Sequence, residues 1–207
     1  MTRRSRSTGH WRKQQQADPY VQRAAREHWR SRAVFKLEQI QAKARILKPG
    51  LRCVDLGAAP GGWSQLAAQI VGPKGRILAV DLAPMAPIEG VEIVQGDFTA
   101  AQTLARIVEA LGTAQADLVM SDVAPNITGS RAVDQPRAMN LAEEALDLCQ
   151  SVLRPGGSFL VKLFQGEGFE SFVETARRQF QSVRLIKPKA SRPESREIYL
   201  LARNYGI

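Results

Sequence analysis

VDLGAAPGGW, residues 54–63, is the stretch that decides the fold. It closes a short apolar run, LRCVDL (51–56), and leads straight into WSQLAAQIV (63–71), which has helical spacing and ends at Gly72-Pro73. A buried strand, a glycine-rich turn and a helix follow one another within about twenty residues. Gly57, Gly61 and Gly62 permit a tight turn and a close approach of backbone to a ligand at the helix N-terminus. The spacing is not GxGxxG, Pro60 stands inside it, and the GxxxxGK[ST] pattern of a phosphate-binding loop is absent.

The same alternation continues outward. RILAVD (76–81), VEIVQG (91–96), DLVMSD (117–122) and SFLVKLF (158–164) are apolar runs of strand length. Helices are expected over about 99–111, 136–153 and 167–180, and the last two strands are SVRLIK (182–187) and REIYLLA (196–202). Strands alternating with helices predict a doubly wound α/β sheet, mostly parallel and covered on both faces. No helical period joins the last two strands, so an antiparallel edge hairpin is expected there. Upstream, Ala33, Val34, Leu37, Ile40 and Ile46 suggest helices with one apolar side, stopped by Lys48-Pro49-Gly50. Residues 1–20 have no period and are expected to be a flexible basic tail. Residues 21–207 then form one domain, including a helical segment over 21–48.

In such sheets ligands bind outside the carboxyl ends of the strands. Those ends carry Asp55, Asp81, Asp97 and Asp122 in succession. An acid after the second strand suits two ribose hydroxyls, and one after the third can accept from an adenine amino group. A negative rim favours a ligand bearing a sulfonium and an ammonium over one bearing phosphates. The expected cofactor is therefore S-adenosylmethionine.

Lys162 interrupts the apolar fifth strand, where a charge is costly unless paired or used. It follows the strand that ends in Asp122, so the two can meet at one rim. Glu197 begins the last strand, and Lys36 lies on the amphipathic helix before the first. A ribose 2′-hydroxyl is a poor nucleophile near neutrality. Methyl transfer to it needs in-line positioning and help in removing the proton. A lysine tuned by burial and by a second lysine can accept that proton, with carboxylates orienting the amines.

Composition limits the alternatives. The chain has 207 residues, 44% hydrophobic and 24% charged, with no uninterrupted apolar run of membrane-spanning length and no secretory h-region. Its Arg-rich, acid-poor start would also fit a mitochondrial transit peptide on composition. Two cysteines without metal spacing point to neither disulfides nor zinc, and a reducing, cytoplasmic setting is expected. The net charge is +9, and residues 1–35 hold nine Lys and Arg against Asp18 and Glu27, with Trp11, Tyr20 and Trp29 interleaved. Basic residues with aromatics suit single-stranded RNA. Arg26, Arg30 and Arg32 are expected on phosphates, with Lys187, Lys189, Arg192 and Arg196 extending the surface. Without heptads or an evident apolar patch, a monomer is expected.

Taken together, RSRAVFKL (30–37), VDLGAAPGGWSQ (54–65), QGDF (95–98), MSDVAPNITG (120–129), PGGSFLVKLFQGEGF (155–169) and SRPESREIYL (191–200) resemble the FtsJ/RrmJ (RlmE) family of ribosomal RNA large-subunit 2′-O-methyltransferases over nearly the whole chain. The resemblance implies a Rossmann-like class I S-adenosylmethionine-dependent methyltransferase fold, with a seven-stranded, mostly parallel sheet and an antiparallel C-terminal strand. It implies a Lys36, Asp122, Lys162, Glu197 tetrad with Lys162 as proton acceptor. Cofactor contacts fall by the same resemblance on Gly61, Trp63, Asp81, Asp97 and Asp122. It implies, further, methylation of a uridine ribose in the A-loop of 23S rRNA within the 50S subunit, without a metal. A tRNA or mRNA-cap 2′-O-methyltransferase would share the tetrad. A non-catalytic assembly factor would have no need of it.

Overall fold

The computed structural model describes residues 18–126 and 128–206. Two helices, α1 (Pro19–Arg26) and α2 (Val34–Ala44), precede the sheet. Strand β1 (Arg52–Leu56) leads into α3 (Gly62–Val71), then β2 (Arg76–Asp81) and β3 (Val91–Gln95). Helix α4 (Ala101–Leu111), β4 (Ala116–Ser121), α5 (Arg131–Val152), β5 (Leu153–Phe164) and α6 (Phe169–Gln179) follow, and the hairpin β6 (Phe180–Ile186) and β7 (Glu197–Tyr205) ends the fold.

The strands form one sheet in the order β3-β2-β1-β4-β5-β7-β6. Neighbours from β3 through β5 are parallel, whereas β7 runs antiparallel to both β5 and β6. This is the Rossmann-like, mostly parallel sheet with an antiparallel C-terminal strand. The hairpin inserts its second arm, β7, beside β5 and leaves β6 at the edge. The reason is in the side chains. Residues Tyr199, Leu200, Leu201 and Ala202 of β7 are all buried, as a strand covered on both faces requires, while β6 is largely half-exposed or exposed.

Three element boundaries depart from local pattern. Asp18 caps α1, its Oδ1 accepting from the Tyr20 backbone N–H at 2.9 Å, with Pro19 at the first helical position. Tyr20 packs on Phe35 with ring centroids 5.5 Å apart. Asp18, Pro19 and Tyr20 are therefore part of the folded domain, and the rest of the expected tail, residues 1–17, lies outside the described residues. Helix α5 starts at Arg131 rather than near Pro136, because Asp134 folds back on the preceding loop. Its carboxylate accepts from the Thr128 N–H at 2.9 Å and the Gly129 N–H at 3.0 Å. Strand β5 begins at Leu153, ahead of the expected SFLVKLF (158–164): Ala116 pairs with Leu153 but Leu118 pairs with Ser158, so Pro155, Gly156 and Gly157 sit in an irregularity within the strand.

One sheet face packs against α4, α5 and α6 through Val54, Val80, Val119, Phe159 and Val161. The other carries Cys53, Ile77, Leu118, Met120, Leu160, Tyr199 and Leu201 and packs against α2 and α3 through Phe35, Leu37, Ile40, Trp63 and Ala67. Since strand side chains alternate, that second face continues past Met120 to Asp122 and past Leu160 to Lys162. Lys162 lies opposite Tyr199 and Phe164 opposite Glu197 in the β5–β7 register. The α2-covered face thus delivers three strand-borne functional groups to one rim, and α2 itself brings Lys36.

Candidate active site

At that rim the four tetrad residues meet. Lys162 Nζ lies 3.1 Å from Asp122 Oδ1 and donates to the Asp122 carbonyl oxygen at 2.6 Å. Lys36 Nζ lies 2.9 Å from Glu197 Oε1 and 4.0 Å from Asp122 Oδ1. Two amines and two carboxylates are linked in one chain, with Asp122 in reach of both lysines. Lys162 and Glu197 are each only 8% exposed, so burial of each charge demands the partner it has. Burial works to raise the Asp122 carboxyl, but Lys162 and Lys36, helped by Tyr199, outweigh it and hold the group below the usual carboxylate range.

Two further side chains complete the cluster and were not expected from sequence. The Tyr199 hydroxyl donates to Asp122 Oδ1 at 2.6 Å, and the Ser191 hydroxyl donates to Glu197 Oε1 at 2.6 Å. Burial, then Asp122 and Glu197, pushes the Tyr199 phenol well above its ordinary value, so it keeps the proton it donates to Asp122. Tyr199 stands two residues after Glu197, and on a strand that spacing alone places both on one face.

Beside the tetrad a cleft of about 550 Å³ opens over the carboxyl ends of β1 to β4. Gly57, Asp81, Asp97 and Asp122 line it, joined by Leu82 and Phe98 as apolar walls. The Asp81 carboxylate is fixed by backbone donors on both oxygens, Ala59 N–H at 2.8 Å and Ala83 N–H at 2.7 Å. Asp97 Oδ1 is held by Thr99, through its N–H at 3.0 Å and its hydroxyl at 2.8 Å. Gly57 has φ +70°, and a Cβ there would come within 2.8 Å of the Val123 Cβ, so only glycine lets the β1 and β4 loops approach this closely. Asn140 and Leu141 of α5 also reach the cleft and carry no sequence signal of doing so.

The remaining expected cofactor residues lie behind this cleft. Asp55, Gly62 and Trp63 border a cavity of only about 20 Å³, shared with Gly57 and Asp122. Asp55 is buried and accepts from the Ser64 hydroxyl at 2.6 Å. Burial pushes its carboxyl up to about 7, Asp122 and Asp81 adding to the effect and Ser64 opposing it. The expected rim of four acids is therefore three, with Asp55 tucked beneath because its strand position faces α3. Trp63 is buried beside Tyr199 and donates Nε1–H to the Ala33 carbonyl at 2.8 Å. Gly61 and Gly62 serve close packing of the incoming chain: a Cβ on Gly62 would meet the Ser31 hydroxyl at 2.5 Å, and one on Gly61 would meet Ile88 at 2.6 Å.

The basic residues divide likewise. Arg30 donates to the carbonyls of Pro60 at 3.3 Å, Ala86 at 2.7 Å and Pro87 at 2.6 Å, clamping the loops around the cleft. Arg32 pairs with Asp18 at 3.2 Å and donates to the Ala190 carbonyl at 2.6 Å. Lys187 donates to the backbone carbonyls of Ser195 and Glu197. These three are committed to the fold rather than free for phosphate, because the loops they tie carry unpaired carbonyls. Arg196 donates to the Gln165 carbonyl at 2.9 Å through one nitrogen. Arg26, with a side chain 78% exposed, and the exposed Lys189 and Arg192 remain available.

Residues 29–205 match the model of the FtsJ-like methyltransferase family. The chain belongs to that family. It is 54% identical, over 98% of each chain, to ribosomal RNA large subunit methyltransferase E of Pseudomonas aeruginosa, and 49% identical to the protein of that name from Pseudomonas fluorescens, covering 98% of this chain and 97% of that one. A solved Plasmodium falciparum chain described as a ribosomal RNA methyltransferase superposes with a TM-score of 0.79 at 27% identity, over 86% of this chain and 98% of that one. The protein is thus a methyltransferase, and no helix among the described residues is long and apolar enough to cross a membrane.

Proposed function

We propose that this methyltransferase acts as a monomer in the cytoplasm, transferring the methyl group of S-adenosylmethionine to the ribose 2′-hydroxyl of a uridine in the A-loop of 23S rRNA, within the assembled 50S subunit. The observation that carries the reading is the tetrad of Lys36, Asp122, Lys162 and Glu197 at the end of an acid-lined cleft. The residues present suit the cofactor. The cleft is within the size range of cofactor sites, its acids match the two positive charges of the methionine moiety, and Leu82 and Phe98 offer apolar surface to a purine. Asp81, with backbone donors holding both oxygens, would accept from the ribose hydroxyls, Asp97 from the adenine amino group, and Asp122 would face the charged end.

S-adenosylmethionine, when bound, supplies a methyl carbon on a positively charged sulfur and needs no metal. The chain's own residues do the rest. Lys162 Nζ, with contacts to the Asp122 carbonyl and carboxylate, keeps one position for the substrate hydroxyl; as the neutral amine it presents its lone pair there, takes the hydroxyl proton as the methyl transfers, and becomes the ammonium that Asp122 holds. Lys36, held by Glu197 and shared with Asp122, fixes the carboxylates and offsets charge on the 2′-oxygen. Ser191 and Tyr199 hold Glu197 and Asp122 in place. Arg26, Lys189, Arg192 and the remaining donors of Arg196 would grip flanking phosphates.

The test uses 50S subunits from cells lacking this gene, methyl-labelled S-adenosylmethionine, and Lys162→Ala as control. Label on an A-loop ribose from the wild-type protein, lost by about 10²–10⁴-fold in Lys162→Ala with cofactor affinity retained, is the expected result. Label on tRNA or capped mRNA instead would move the substrate. No label on any RNA, with cofactor bound, would refute the catalytic reading in favour of an assembly role.

A further inference from the structure

The connector between α1 and α2, residues 27–33, lies across the first turn of α3 and is bound by it at three successive places. Gln65 grips the backbone with both ends of its amide: Nε2 donates to the His28 carbonyl at 3.1 Å, and Oε1 accepts from the Arg30 N–H at 3.1 Å. Gly62 lets the connector come close, since a Cβ there would meet the Ser31 Oγ at 2.5 Å. Trp63 Nε1–H donates to the Ala33 carbonyl at 2.8 Å. His28 stands in the left-handed region at φ +59°, a conformation that a residue other than glycine keeps only when its surroundings hold it. Gln65 supplies one such hold.

The far end of the connector is the start of α2. Ala33 is the residue before that helix, and its carbonyl accepts from the Lys36 N–H at 3.1 Å as well as from Trp63. Lys36 therefore rides on the one turn that the connector fixes. Its ammonium has little latitude, at 2.9 Å from Glu197 Oε1 and 4.0 Å from Asp122 Oδ1. A retreat of that turn by about 1 Å would leave Lys36 with Glu197 alone and uncouple it from Asp122. Gln65 itself is half-buried and lines neither the cofactor cleft nor the cavity beneath it.

We propose that Gln65 is a positioning residue for the methyl transfer: by holding the connector it sets the first turn of α2, and so places Lys36 between Glu197 and Asp122. The inference rests on the ribose methyltransferase reading above and adds to it a residue that touches no reacting group. It also gives α3 a double duty. The loop before this helix lines the cofactor cleft through Gly57 and Ala59, and its first turn carries the residues that seat the tetrad lysine. Cofactor site and tetrad thereby share one turn of helix as their common support.

The test is a double-mutant cycle on kcat, measured with saturating S-adenosylmethionine and 50S subunits lacking the modification. Gln65→Met keeps the length of the side chain and loses both amide bonds. Its kcat should fall by about 10- to 100-fold, with calorimetric affinity for S-adenosylmethionine within about threefold of wild type. Lys36→Ala keeps Lys162, and so keeps a slow reaction that single-turnover labelling reads. In that background Gln65→Met should change the rate by less than about twofold, because the group it positions is gone; a merely structural role would cost the same factor in both backgrounds. Equal losses, or a wild-type kcat from Gln65→Met, would overturn the proposal. The same cycle is run with Gln65→Glu, which retains the acceptor for Arg30, loses the donor to His28, and suits a helix N-terminus, so a Gln65→Met protein that fails to fold still leaves the question decided. Wild-type protein that labels no subunit refutes the ribose methyltransferase reading, and the positioning role with it; labelled subunits with equal losses in both backgrounds refute the positioning role alone.

Discussion

Replacing Asp55 by Asn should change how stability depends on pH more than it changes catalysis. Asp55 is buried at the end of β1 with a single side-chain partner, the Ser64 hydroxyl, and burial raises its carboxyl from 3.8 to about 7. Below pH 3.8 both folded and unfolded chains hold the proton, and the group's stabilising effect is fully present. Between 3.8 and 7 the folded protein keeps a proton that the unfolded chain has lost, so stability falls as pH rises. Above 7 the loss is complete, about 4 kcal/mol for roughly three pH units at 1.36 kcal/mol each. Asn does not titrate, and it can still hydrogen-bond the Ser64 hydroxyl. The assay is urea unfolding of both proteins at several pH values, followed by tryptophan fluorescence. The difference in unfolding free energy cancels every other titrating group. It should move by about 3 kcal/mol in favour of Asn between pH 5 and pH 8. A difference that stays constant across that range would refute the claim that Asp55 is buried with a raised pKa.

Tyr199→Phe removes the 2.6 Å hydroxyl donor to Asp122; kcat should fall about tenfold, since bonds to charged groups are worth roughly 1.5–3 kcal/mol, with calorimetric cofactor affinity unchanged. Arg30→Ala frees three loop carbonyls and should lower stability by roughly 1–3 kcal/mol and weaken cofactor binding. If thermal denaturation shows no loss and only the RNA KM rises, Arg30 is a phosphate contact after all. Charge reversal at the exposed Lys189 and Arg192 should raise the RNA KM with cofactor affinity intact in steady-state kinetics. Affinity for the ribosomal subunit should fall steeply with salt as counterions are released, and a flat titration would sink the electrostatic account.

The sheet and its direction were legible in the chain itself. A buried parallel strand must be apolar on both faces, and LRCVDL, RILAVD, DLVMSD and SFLVKLF announce this within a few residues each. The ends of those strands were equally legible, so residue type and position alone mark Asp81, Asp97, Asp122 and the out-of-place Lys162. Their convergence with Lys36 and Glu197 was an expectation from placement, and β7 realises it by entering antiparallel beside β5. What local pattern could not show was which charges are spent on the fold. Arg30, Arg32 and Lys187 look like RNA contacts in a basic chain, but Arg30 and Arg32 each meet a backbone carbonyl from a segment far away in sequence, and Lys187 meets those of Ser195 and Glu197 across the β6–β7 turn. Asp55 looks like its three neighbours at the strand ends, yet its side chain faces α3 and is sealed there. A motif records residue type and spacing; whether a polar group faces water, a ligand or an orphan carbonyl is decided by what packs against it, and that is settled only when distant segments close around it.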